Sequence, residues 1–217
     1  MASPLARVNV RADAWELIWS FAQRVLVVNL CLALGGLPLI VALSLVAEPW
    51  RYPVFFGVLA LPLGPAMAAG FSYLAGDLPL LASGRKVARP ALLVWAITLA
   101  AAGVLVADIS VLYDAMPGAA LVPLLAVLTA LVLAVGLCSL VLLATEPGMA
   151  RRARIRLAVY ATVRSWPLTL FSLGILGATA VLVSLHPLAG LATVPGCALW
   201  VVLTNTRLQL AKILGES

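Results

Sequence analysis

Long apolar runs alternate with short charged or proline-bearing breaks along the whole chain. A helix needs about 20 apolar residues to cross a ~30 Å hydrocarbon core. Six runs reach or approach that length, over residues 25–47, 52–74, 91–113, 119–144, 166–185 and 188–204. They predict an all-α fold, a polytopic transmembrane helix bundle of six spans. A cytoplasmic arm is expected over residues 1–24, the membrane domain over 25–206 and a short tail over 207–217. The breaks fit this division. Glu48-Pro49-Trp50-Arg51 is polar and holds a residue that cannot continue a helix. Asp114-Ala115-Met116-Pro117-Gly118 is a tight turn. His186-Pro187 is so short that the last two spans must form an antiparallel hairpin. Tyr52, Tyr73, Tyr113 and Trp166 stand at span ends, where amphipathic rings prefer the headgroup region.

Composition turns this pattern into an exclusion. Of 217 residues 64% are hydrophobic and 10% charged, against about 25% charged in an ordinary soluble domain. A soluble core of this length could not hide so much apolar surface. The net charge of +6 does not point to nucleic acid, because the basic residues sit between apolar runs rather than in one patch. Arg7, Arg11 and Arg24 precede the first run, Arg85, Lys86 and Arg89 follow the second, Arg151, Arg152, Arg154, Arg156 and Arg164 follow the fourth, and Arg207 and Lys212 close the chain. The opposite connections hold Arg51 alone. The positive-inside rule therefore places both termini in the cytoplasm. The first run begins near Val25, too deep and too long for a secretory signal, and no A-x-A site follows, so it reads as an uncleaved span.

Little catalytic chemistry is on offer. Cys31, Cys138 and Cys197 are far apart in apolar runs, which supports neither a zinc site nor a disulfide framework, and no cofactor is implied. Asp108 is the one charged side chain inside a predicted span. It is a candidate ion or proton site, although its place near the outer end favours a structural pair with Arg51. Asn29 is expected to hydrogen-bond between helices. Ser72 and His186 could pass for a protease nucleophile and base, but the predicted topology puts them at opposite membrane faces, beyond mutual reach.

Backbone signals are stronger. Pro62, Gly64 and Pro65 must kink or break the second span near its middle, and Pro195-Gly196 predicts a similar interruption in the sixth. Paired broken helices can line a substrate cavity, which gives one reading as an autonomous small-solute transporter. Ala126, Ala130 and Ala134, together with Ala66/Gly70 and Gly174/Ala178, have the spacing that lets helices approach closely. In the N-terminal arm Trp15, Ile18, Trp19 and Ala22 share a helical face, the pattern of a helix lying on the inner leaflet. In the fourth connection Ile155, Val159, Val163 and Trp166 form a stripe beside the arginines. Arg151, Arg152, Arg154 and Arg156 are candidates for docking acidic lipid headgroups or an acidic cytoplasmic subunit.

Several of these elements together resemble a known family. Phe21-Ala-Gln-Arg-Val-Leu-Val-Val-Asn29-Leu30 with Gly36-Leu37-Pro38, then Leu63-Gly-Pro65-Ala-Met-Ala-Ala69-Gly-Phe71, are similar to the first and second spans of the YesL-like bacterial membrane proteins. Asp108, the basic stretch before Trp166-Pro167, and Pro195-Gly196-Cys197-Ala198 extend the likeness over nearly the whole chain. The clear separation at 48–52 and the short segment 76–90 depart from that pattern. The resemblance implies a bacterial cell (inner) membrane location and an accessory or regulatory role beside a carbohydrate-uptake system of the ATP-binding-cassette type, and with the lack of catalytic residues a non-enzymatic one. The implied partners are its permease and ATPase subunits, or a homo-oligomer. The chain has no P-loop, so it is not itself expected to be the ATPase.

Overall fold

The computed structural model describes residues 10–76, 80–113, 118–185 and 187–215, and every described element is helical. Helix α1 spans Val10–Leu45. Its 36 residues give a length of about 54 Å at 1.5 Å per residue. No glycine or proline stands near Arg24, and the helix passes that point without a break. The expected arm and first span are therefore one helix, without the joint near Arg24 that an arm laid along the leaflet would use. After a 3-10 turn at Pro49–Arg51, the second predicted span is divided into α2 (Pro53–Leu59) and α3 (Leu63–Ala75). Helix α4 spans Leu80–Leu112 and takes in residues 80–90, which the sequence had suggested as a connecting segment. Pro90 is tolerated there because it and Lys86, whose carbonyl it frees, are both exposed. A second 3-10 turn, Gly118–Leu121, leads into α5 (Val122–Thr145), followed by α6 (Arg151–Arg164), α7 (Trp166–Leu185) and α8 (Pro187–Leu214).

Among the described residues five stretches are long and apolar enough to cross a membrane: Ile18–Leu45, Pro53–Ala75, Gly84–Leu112, Gly118–Thr145 and Trp166–Leu185. Helix α8, which holds the sixth predicted run, is not one of them. Its second half carries Asn205, Thr206, Arg207 and Gln209, of which Asn205, Thr206 and Gln209 are buried. The Asn205 Nδ2 donates to Ser172 Oγ at 3.0 Å and the Gln209 Nε2 to Thr169 Oγ1 at 3.3 Å. These polar groups face α7, so α8 satisfies them against protein.

The second half of α5 is the central post. Gly136 through Ala144 are all buried, as befits a helix that is apolar all round. Helix α3 packs on α1, α4, α5 and α8, and Phe71, Val28 and Leu140 are fully buried there. Gly70 lets α3 approach Val28 of α1 and Leu199 of α8. Gly174 and Ala178, with the same small-residue spacing, are exposed. Helices α1 and α8 run antiparallel: Phe21 meets Trp200 edge-on at 5.4 Å, and two turns further along α1 Asn29 meets Ala192.

Candidate functional site

The two proline interruptions are resolved differently. Between α2 and α3 the chain makes 3-10-type links, Leu61 N–H to Val58 O and Leu63 N–H to Ala60 O. The Trp95 indole N–H donates to the Ala60 carbonyl at 3.0 Å, which ties the break to α4. Gly64 allows this, because a Cβ there would overlap the Trp95 side chain. Gly35 of α1 lies against Pro62 and Ala66. The backbone at this break is thus engaged with packed neighbours.

At Pro195 the expected interruption does not occur; α8 runs through it. Beside this proline lies Asn29, which is buried on α1. Its Nδ2 donates to Ala192 O at 2.6 Å, and its Oδ1 accepts the Gly196 N–H at 2.5 Å. Ala192 and Gly196 are the two ends of one i→i−4 link, so the carboxamide bridges the ladder beside the proline. A Cβ on Gly196 would lie 2.8 Å from Val25 O and 2.9 Å from Asn29 Oδ1, which is why only glycine fits.

The predicted pairing of Asp108 with Arg51 is not formed. Arg51 pairs with Glu48, three residues back in the same turn, where closing an ion pair costs little chain entropy. Asp108 is exposed on α4 and makes no ion pair among the described residues.

The arginine-rich helix α6 is sorted by its packing. Arg154, Ala158 and Ala161 are spaced to share one face, and all three are buried. Ala158 and Ala161 pack with Cys138 and Leu142 of α5, flanked by Leu210 and Ile213 of α8. The Arg154 Nη2 donates to Met149 O at 2.9 Å, while its buried Nε has no partner among the described residues. Burial lowers its pKa. Arg154 is therefore withdrawn from the docking set proposed from the sequence, because it falls on the alanine face. Arg151, Arg152 and Arg156 are exposed, and Ile155, Val159 and Val163 stand exposed beside them.

Among the cavities between the described residues, a large one of about 740 Å³ lies where α3 and α5 end and α4 begins, walled also by α6 and α8. Ser72, Lys86, Thr145, Glu146 and Arg207 supply its polar groups, and Val87, Leu142, Leu157 and Leu210 its apolar wall. Arg207 Nη2 donates to Ala75 O at 3.3 Å. The smaller, about 20 Å³, is lined by Thr162, Thr169, Ser172, Thr206 and Gln209 among others. Neither touches Pro65 or Pro195, so the cavity expected between two broken spans is not one of these. The larger cavity could not be read from sequence, since its lining comes from five separate segments. Only the basic residues Lys86 and Arg207 hinted at that end of the bundle.

The cysteines are unpaired, with Cys138 buried, Cys31 half-buried and Cys197 exposed. Ser72 lines the larger cavity, and His186 lies outside the described residues. No family model, curated protein or solved structure matches the chain.

Proposed function

We propose that this is a six-span membrane protein with both termini in the cytoplasm, acting by association with a partner rather than by catalysis. Helix α6 is its docking element. The observation that carries this reading is the division of α6. One face is clamped to α5 and α8 through Ala158 and Ala161, while Arg151, Arg152 and Arg156 project with Ile155, Val159 and Val163. A rigid platform that presents cations and apolar groups together suits an acidic, partly apolar protein surface. The antiparallel pairing of α1 with α8 supports termini on one side. The buried polar face of α8 supports a sixth span shielded by α7 and α1. The YesL-like resemblance makes the permease and ATPase subunits of a carbohydrate ATP-binding-cassette importer the proposed partner.

Purification from native membranes in mild detergent, with mass spectrometry of the co-purifying chains, tests this. Permease and ATPase subunits in fixed ratio support it. Recovery of the chain alone, or only with itself, sinks it.

A further inference from the structure

The larger cavity has a chemical character that the docking reading does not use. Its lining residues Ser72, Thr145 and Lys86 sit at one end of three apolar stretches, at the last turns of α3 and α5 and the first turns of α4. On the topology proposed above this end lies at the membrane–water boundary, and the cavity's volume of about 740 Å³ falls within the roughly 300–1,000 Å³ typical of small-molecule sites. The wall is largely apolar, yet it holds two cations, Lys86 and Arg207, and one carboxylate, Glu146. Neither Lys86 nor Glu146 forms an ion pair among the described residues.

The backbone adds a second constraint. Helices α3 and α5 both end at the cavity, and helix C-termini carry partial negative charge. Arg207 answers one of them by donating to Ala75 O. A purely anionic ligand would meet Lys86 and Arg207 but also Glu146 and the carbonyl ends. A zwitterion meets both sets, with phosphate toward the cations and an ammonium toward Glu146.

We propose that this cavity binds a phosphate ester that also carries an ammonium group, with an apolar portion against Val87, Leu142 and Leu210. A phospholipid with an ethanolamine headgroup has this chemistry, and so in part does free phosphoethanolamine. Basic pockets between spans on the cytoplasmic side are known lipid sites. The site's sidedness rests on the topology proposed above; the binding itself does not.

The test is native mass spectrometry of the purified chain with phosphatidylethanolamine, phosphatidylglycerol or phosphatidylcholine added, and calorimetry with phosphoethanolamine. The expected result is a one-to-one ethanolamine-lipid adduct. Lys86→Gln with Arg207→Gln should weaken it about a hundredfold, the loss of two charge-assisted bonds at roughly tenfold each. Glu146→Gln should abolish the preference over phosphatidylglycerol. Binding of phosphoethanolamine as tight as the lipid's, with the same dependence, would make a soluble ester the source, keep the phosphate and ammonium contacts and overturn the apolar one. Equal retention of all three lipids, or adducts indifferent to these exposed residues, would overturn it. Lys86→Gln alone stands in if the Arg207 variant fails to fold. Because the readout uses the chain without any partner, failure here leaves the docking reading standing.

Discussion

Asn29 and Gly196, 167 residues apart, meet where α1 lies against α8, and the Asn29 carboxamide accepts the Gly196 N–H beside Pro195. The same side chain donates to the Ala192 carbonyl, so one residue of α1 holds two backbone groups of α8. Removing it should be felt as lost helix–helix stability. Asn29→Leu is expected to cost about 1–2 kcal/mol, given that interhelical bonds in membranes average ~0.6 and reach ~1.7 kcal/mol. Unfolding of the purified protein in a mixed-micelle denaturant series measures this, and an unchanged midpoint would mean the bridge contributes nothing.

Gly196→Ala should be at least as damaging, because the added Cβ would meet Val25 O and Asn29 Oδ1. Overpacking of this kind costs about 1–3 kcal/mol. Gly174→Ala, where a Cβ meets nothing within 4 Å, is the control and should leave the midpoint within error or slightly raised. Equal effects at the two glycines would contradict the close approach of α1 and α8.

Arg154→Met should be neutral or stabilising. The guanidinium is buried with its Nε unpartnered, and replacing such a charge with an apolar chain of similar volume relieves a desolvation cost. Arg152→Met on the exposed face should change stability by less than about 0.5 kcal/mol. The same unfolding series reads both, and strong destabilisation by Arg154→Met would show that the Met149 contact outweighs burial.

The apolar runs made the bundle legible, because span length is set by the bilayer and needs no tertiary information. The gap between α2 and α3 falls where Pro62 and Pro65 crowd together. Pro195 misled, because a proline inside a span is carried without a break where neighbouring helices pack around it, and that packing is not local in sequence. Arg154 misled for a related reason. A row of arginines reads as an exposed face, and only its spacing to Ala158 and Ala161 signals that one of them turns inward. The Asp108–Arg51 pairing failed because Glu48 is a nearer partner in sequence. The larger cavity was invisible, being assembled from segments far apart along the chain.

The proposed topology predicts labelling by sidedness. In a chain with Cys31, Cys138 and Cys197 replaced by alanine, a cysteine placed at Arg51 should react with a membrane-impermeant maleimide in whole cells. Cysteines at Arg152 or Lys212 should react only after the membrane is opened. Labelling of Lys212→Cys in intact cells would place the C-terminus outside and remove one of the six crossings.

The docking claim is tested most directly by photo-crosslinking in native membranes, with a photoreactive residue placed in turn at positions 152, 156 and 154 of α6. The account predicts a discrete adduct of this chain with a permease or ATPase subunit from positions 152 and 156, and none from 154, which is buried. Adducts with lipid alone from the exposed positions, or equal protein adducts from all three, would contradict it.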